Sequence, residues 1–171
     1  MNLWVKVLGG VAGAGTLALL LRGGSPFTPS LTPRQRVAKA ALGEIGSTNK
    51  AKYWASALPG QNPAGLDWCG AFALWTLHQA GIAADWFWKI GVGFLMTTQH
   101  SLPITTTPKL GDIAYFTKNQ HEAVVVGVDN VNRTVQLANG NGNMGAVSPS
   151  TIPWNSVTAF FSIAPLVGEA A

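Results

Sequence analysis

Cysteine is nearly absent from this chain of 171 residues, which holds only Cys69. That excludes an intrachain disulfide and a zinc cluster built on cysteines. Histidine is almost as scarce: His78, His100 and His121 are widely separated and no H-E-x-x-H occurs. Neither a metal site nor a cofactor is therefore expected. Charged residues make up 11% of the chain, where about a quarter is usual. The net charge of +4 suits an anionic partner. The basic residues are scattered, however, with no Lys/Arg run, and nucleic acid is not the partner expected. Internal repeats and low-complexity segments are also lacking. What the chain has in abundance is apolar side chains, at 47%, enough to bury a core in a domain of this length.

Part of that excess is local. Residues 7–21, "VLGGVAGAGTLALLL", lie between Lys6 and Arg22, and the stretch 3–21 counts 19 residues with one lysine. A bilayer span needs about 20, and Lys6 is near enough to one end to snorkel. A cleaved signal peptide is the alternative, but the A-x-A-like "AGA" at 12–14 leaves too short an apolar region. A buried glycine-rich helix is the third reading. The expectation is an apolar N-terminal helix over 1–22 serving as an uncleaved membrane or signal anchor. Gly9 and Gly13 form a G-x-x-x-G pair suited to helix packing. Arg22, Arg34, Arg36 and Lys39 follow the span; the positive-inside rule holds them in the cytoplasm, whereas a signal anchor does the reverse. "GGSPFTPSL", residues 23–31, reads as a linker, and one domain is expected over 32–171.

Within that domain Thr32 and Pro33 mark an N-cap and first helical position, opening a helix that runs to about Leu42. "NKAKYWASAL" predicts a second short helix. A third, from about Cys69 to Ala80, is stopped by Gly81. Phe72, Leu74, Trp75 and Leu77 make it apolar over much of its surface, as a central buried helix would be. The second half changes character: "DIAYF", "EAVVVGVD", "TVQLAN" and "SVTAFFSI" read as strands divided by polar turns and the loop "GNGNMG". Helices followed by a meandering antiparallel sheet make an α+β fold.

Cys69 falls at the first turn of the central helix, where free N–H groups and the helix dipole favour a thiolate. A thiolate nucleophile needs a proton-handling partner and an orienting group behind it. His78, nine residues along the same helix, points away and is structural. His100 lies in a loop without an evident partner. His121 opens a strand directly after the turn "TKNQ", and Asn139 or Asn141 at the end of the next strand can supply an orienting amide. A buried core thiol is the competing reading, because single cysteines are often buried. Glu122 alternates with His121 along the strand and is expected to face solvent. Asp112 in "LGDI" reads as a turn residue.

The order of these motifs resembles the papain-like cysteine peptidases of bacterial and phage cell walls, the CHAP and NlpC/P60 group. "DWCGAF" followed by "LWTLHQAGI" is similar to that family's Trp-Cys opening of the central helix. "PKLGDIAYF" is similar to its Gly-Asp-Ile turn into an aromatic strand, "HEAVVVGV" to its histidine-led strand, and "NGNGNMGAV" to its Gly-Asn loop. "EIGSTNKAKYW" resembles the lead-in of several members. Together these cover roughly residues 37–163. Two departures stand out. His-Glu-Ala replaces the usual His-Val-Gly, which bears on the shape of the pocket. Asn139 falls where Glu is usual, giving a Cys-His-Asn set like that of papain itself.

The resemblance implies a papain-like α+β fold, with the nucleophile at the start of a central helix packed on a small antiparallel sheet. It implies acyl transfer with Cys69 as nucleophile, His121 as proton carrier and Asn139 as the residue that holds the ring; Asn141 is the backup. The Cys69 N–H would help hold the oxyanion, with Tyr53 or Gln61 as candidate second donors. Trp68 would line the substrate cleft or equally pack in the core, Tyr53 and Gln61 would also line that cleft, and "DWFWK" at 85–89 would be a stacking rim or, more simply, core. The implied substrate is peptidoglycan, cut at the muramoyl–alanine amide or within the stem peptide. The glycine-weakened apolar segment resembles the signal-arrest-release segments of some phage endolysins. Expected locations are accordingly a membrane-anchored or exported place in the envelope (the periplasm), or a phage virion. Two other functions stay open: a non-catalytic virion, envelope or wall-binding protein that keeps the fold, and a hydrolase of another amide or ester.

Overall fold

The computed structural model describes residues 30–57, 59–60, 67–84 and 102–170. Helix α1 (Pro33–Leu42) starts with a complete capping box. The Gln35 N–H donates to Thr32 Oγ1 at 3.2 Å, and the Thr32 N–H donates to Gln35 Oε1 at 2.9 Å. Two first-turn donors are thereby satisfied, and Pro33 costs nothing where no N–H is needed. Helix α2 (Lys50–Ala57) is short. Helix α3 (Cys69–Gln79) ends as its glycine predicts. Gly81 takes φ +73°, and the N–H groups of Gly81 and Ile82 donate back to His78 and Leu77.

Six strands follow: β1 (Ile104–Thr105), β2 (Ile113–Phe116), β3 (His121–Asp129), β4 (Thr134–Asn139), β5 (Ser148–Pro153) and β6 (Ala159–Phe161). They form one antiparallel sheet in the order β1-β6-β2-β3-β4-β5. Neither β1 nor β5 is expected from sequence pattern. β1 has only two residues, and "SPSTIP" carries two prolines that a central strand would not tolerate. At the sheet edge the missing N–H groups break no ladder.

Side-chain alternation gives the sheet two apolar faces. Ile113, Tyr115, Val124, Ala138 and Phe161 join Val37, Tyr53, Phe72 and Leu77 from the helices in the main core. Ala114, Ala123, Val125, Leu137 and Phe160 form a second cluster. Phe116 pairs with His121, Ala123 with Asn139, and Asn139 with Ser148. The end of β2, the start of β3, the end of β4 and the start of β5 therefore meet at one end of the sheet.

Asp112 proves to be more than a turn residue. It is fully buried and accepts from the Arg34 guanidinium at 2.7 Å, the Lys109 N–H at 2.8 Å and the Ile163 N–H at 3.0 Å. It ties α1 to the entry of β2 and the exit of β6. Among the described residues no helix is long and apolar enough to cross a membrane. The expected anchor over 1–22 lies outside those residues, as do Gln61, residues 85–89 and His100.

Candidate active site

Close packing of the end of β4 onto α3 starts the site. A Cβ at Gly140 would lie 2.6 Å from the Cβ of Phe72, so only glycine lets the strand end approach the helix. Asn139, the preceding residue, lines the same cavity as Cys69, the first residue of α3. Gln120 and Asn141, flanking His121 and Gly140, adopt φ +48° and +53°. Left-handed backbone at non-glycine residues is costly and tends to collect at functional sites. Both line a cavity of about 440 Å³ that also includes Asp67, Cys69, His121 and Asn139.

The amide of Asn139 has only one workable orientation. Its Nδ2 donates to Ser148 O and to Ser150 Oγ, each at 3.0 Å. A carbonyl oxygen only accepts, so Oδ1 must be the atom 3.2 Å from His121 Nε2. The ring therefore donates from Nε2 and, when neutral, keeps the lone pair on Nδ1. The imidazole also packs on Phe116, its cross-strand neighbour, with ring centroids 6.0 Å apart. Burial lowers the pKa of His121 below 6.5, with Asn139 and Asp67 opposing, so near neutral pH the ring is an acceptor at Nδ1. Asn141 is turned elsewhere, donating from Nδ2 to Asp67 Oδ1 at 2.6 Å.

Cys69 is the first residue of α3 and is 4% exposed. Its thiol does not have the lowered pKa expected of a helix N-terminus. Burial raises it strongly and the charge of Glu122 adds to the rise, while the Glu122 and Gly70 backbone N–H groups pull weakly the other way. A nearly dry site removes more solvation from a thiolate than one helix end returns. The thiol donates to Glu122 Oε2 at 3.2 Å; no hydrogen bond joins it to His121 among the described residues.

Glu122 corrects the sequence expectation most sharply. Expected in solvent, it is 2% exposed and faces α3, on the side of the sheet shared with Val124. Alternation does separate it from His121; the error lay in assigning the outer side to Glu122 because it is charged. The stretch His-Glu-Ala, where the resembling family has His-Val-Gly, was the available signal: an apolar position filled by a carboxylate.

Trp68 and Tyr53 are also corrected, from cleft to core. They are 2% and 0% exposed and stack with centroids 5.0 Å apart, and Phe72 and Trp75 pack edge-on against Tyr53. The Tyr53 hydroxyl donates to Glu44 at 2.6 Å, so it is not available to an oxyanion. His78 is structural, bonded to the Ser56 hydroxyl at 2.6 Å and to Ala84 O at 2.8 Å.

Residues 59–141 match the family model described as the CHAP domain. No curated protein and no solved structure matches the chain. The matched segment contains Cys69, His121, Asn139 and Asn141. A CHAP domain denotes a hydrolase of the amidase or peptidase kind with peptidoglycan as its substrate class. Among the described residues, three helices on a six-stranded antiparallel sheet agree with the papain-like α+β fold. The match over residues 59–141 and the fold are together consistent with the CHAP/NlpC-P60 superfamily of papain-like cysteine peptidases.

Proposed function

We propose that the chain cuts an amide bond of peptidoglycan, muramoyl–alanine or stem-peptide, through an acyl-enzyme on Cys69. The observation that carries this reading is the His121–Asn139 pair, whose fixed tautomer leaves Nδ1 for the cavity that Cys69 also lines. The thiol turns from Glu122 towards His121, whose Nδ1 takes the Sγ proton as sulfur attacks the carbonyl carbon. The imidazolium then gives that proton to the leaving amine as the C–N bond breaks. Water, deprotonated by His121, releases the acyl group and restores the thiol. Asn139 holds the ring through both proton transfers, and the unpaired N–H groups at the start of α3 support the oxyanion.

The test is digestion of purified peptidoglycan by the full chain beside Cys69→Ala, with products identified by mass spectrometry. New amine ends from the native chain, lost roughly a thousandfold or more in the variant, support the reading and name the bond. Release by neither moves the weight to a wall-binding protein or to another substrate, and equal release by both removes Cys69 as the nucleophile. The apolar segment 3–21 favours work at the envelope, with 1–22 as anchor, 23–31 as linker and 32–171 as the hydrolase domain. That arrangement fails if the full chain remains soluble when produced with membranes present.

A further inference from the structure

Glu122 has no part in the reaction just described, although its carboxylate touches the reacting atom. It is 2% exposed, and its one side-chain hydrogen bond among the described residues comes from the Cys69 thiol, at 3.2 Å. Among the described residues no ion pair offsets it. Arg34 is committed to Asp112 and Glu169, and Lys52 to Glu44. The groups facing it are the Cys69 thiol from α3 and the Tyr115 phenol from β2, and its charge favours the protonated form of both. Beyond Cys69 the cavity adds His121 and Asn139, with Asp67 as the charge acting on His121. A buried carboxylate with a thiol as its only partner is costly unless a proton is shared with it.

We propose that Glu122 is a positioning residue for the nucleophile: it and Cys69 hold one proton between them, and this sharing sets the pH range in which the thiol is released for attack. With Glu122 ionised, the Sγ proton lies on the line to Oε2, away from His121, and a second negative charge on sulfur is opposed. With Glu122 protonated, its O–H donates to sulfur and the opposition is gone. Moving the shared proton from Sγ to Oε2 breaks one bond to hydrogen and makes one, so the pair keeps its total charge and needs no other reactant. The inference rests on Cys69 being the nucleophile of the proposed reaction, but not on the substrate.

A shared proton has a distinctive titration. Below the midpoint of Glu122, which burial raises to about 7, thiolate increases about tenfold per pH unit. Above it each further proton lost must come from a pair already negative, so thiolate levels off. The experiment measures the rate of Cys69 alkylation by iodoacetamide from pH 5 to 9, in the full chain and in Glu122→Gln. The native rate is expected to rise to about pH 7 and then flatten. The variant, with no carboxylate to ionise, is expected to keep rising and to exceed the native chain by about tenfold at pH 8 and more at pH 9.

A native rate that climbs steadily through pH 9 overturns the proposal. So does a folded Glu122→Gln chain whose profile follows the native one, or whose thiol is inert throughout. If the variant does not fold, the native profile decides alone. Because alkylation needs no peptidoglycan, a native profile that rises to about pH 7 and then levels off, with no wall cleavage, would retain the Cys69–Glu122 pair while removing the proposed substrate.

Discussion

Two carboxylates are buried to nearly the same depth in this protein, Asp112 at 0% exposure and Glu122 at 2%, yet their surroundings differ. Asp112 faces a guanidinium and two backbone N–H groups. Its charge is met on both oxygens, and the group joins three elements of the fold. Glu122 faces a thiol and a phenol and, among the described residues, makes no ion pair, and burial pushes its pKa to about 7. Depth alone therefore does not make a carboxylate structural or chemical; the partners decide. The satisfied group lies where α1 meets the sheet, and the unsatisfied one lies beside the only cysteine.

The largest effect is expected at the satisfied group. Asp112→Ala leaves the Arg34 guanidinium buried without its main partner and orphans two N–H donors. The expected loss is about 3–5 kcal/mol, read by urea denaturation. A loss under about 1 kcal/mol would mean that water replaces the carboxylate and that the two sites differ less than their partners suggest.

Glu122 should behave with the opposite sign and a dependence on pH. Its folded pKa of about 7 lies above the ordinary 4.5. Between those values the native state holds more proton than the unfolded chain, so stability falls as pH rises through the window. Glu122→Gln removes that loss. The variant should match the native chain near pH 4 and exceed it by on the order of 3 kcal/mol at pH 8. The depressed pKa of His121 has the reverse effect, with stability falling as pH drops below 6.5. Both chains carry His121, so the difference between their urea curves isolates Glu122. A variant less stable than the native chain at pH 8 would show that ionised Glu122 has support other than the thiol.

These two residues also mark how far the site was legible in the sequence. α1 and the end of α3 were readable because Thr32, Pro33 and Gly81 act locally, through caps and backbone geometry. Asn139 over Asn141 was suggested by motif order, and the geometry that separates them, the carbonyl of Ser148 and the carboxylate of Asp67, comes from segments distant in sequence. Strand β5 was missed because its prolines argue against a strand until its edge position is known. Tyr53 and Glu122 were misplaced, and the two readings of Trp68 left open, for one reason. Periodicity separates the faces of an element but does not say which face the rest of the chain covers. The thiol pKa failed similarly: a helix N-terminus is visible in sequence, whereas desolvation by β3 and the aromatic cluster is tertiary.

Capture of the intermediate tests the central claim most directly. The full chain is mixed with soluble peptidoglycan fragments, quenched in acid during turnover, and analysed as intact protein and as tryptic peptides by mass spectrometry. The account predicts an acyl adduct on Cys69 that hydroxylamine removes and that Cys69→Ala never forms. Fragments cleaved at an undiminished rate by Cys69→Ala, with no adduct on the native chain, would contradict it.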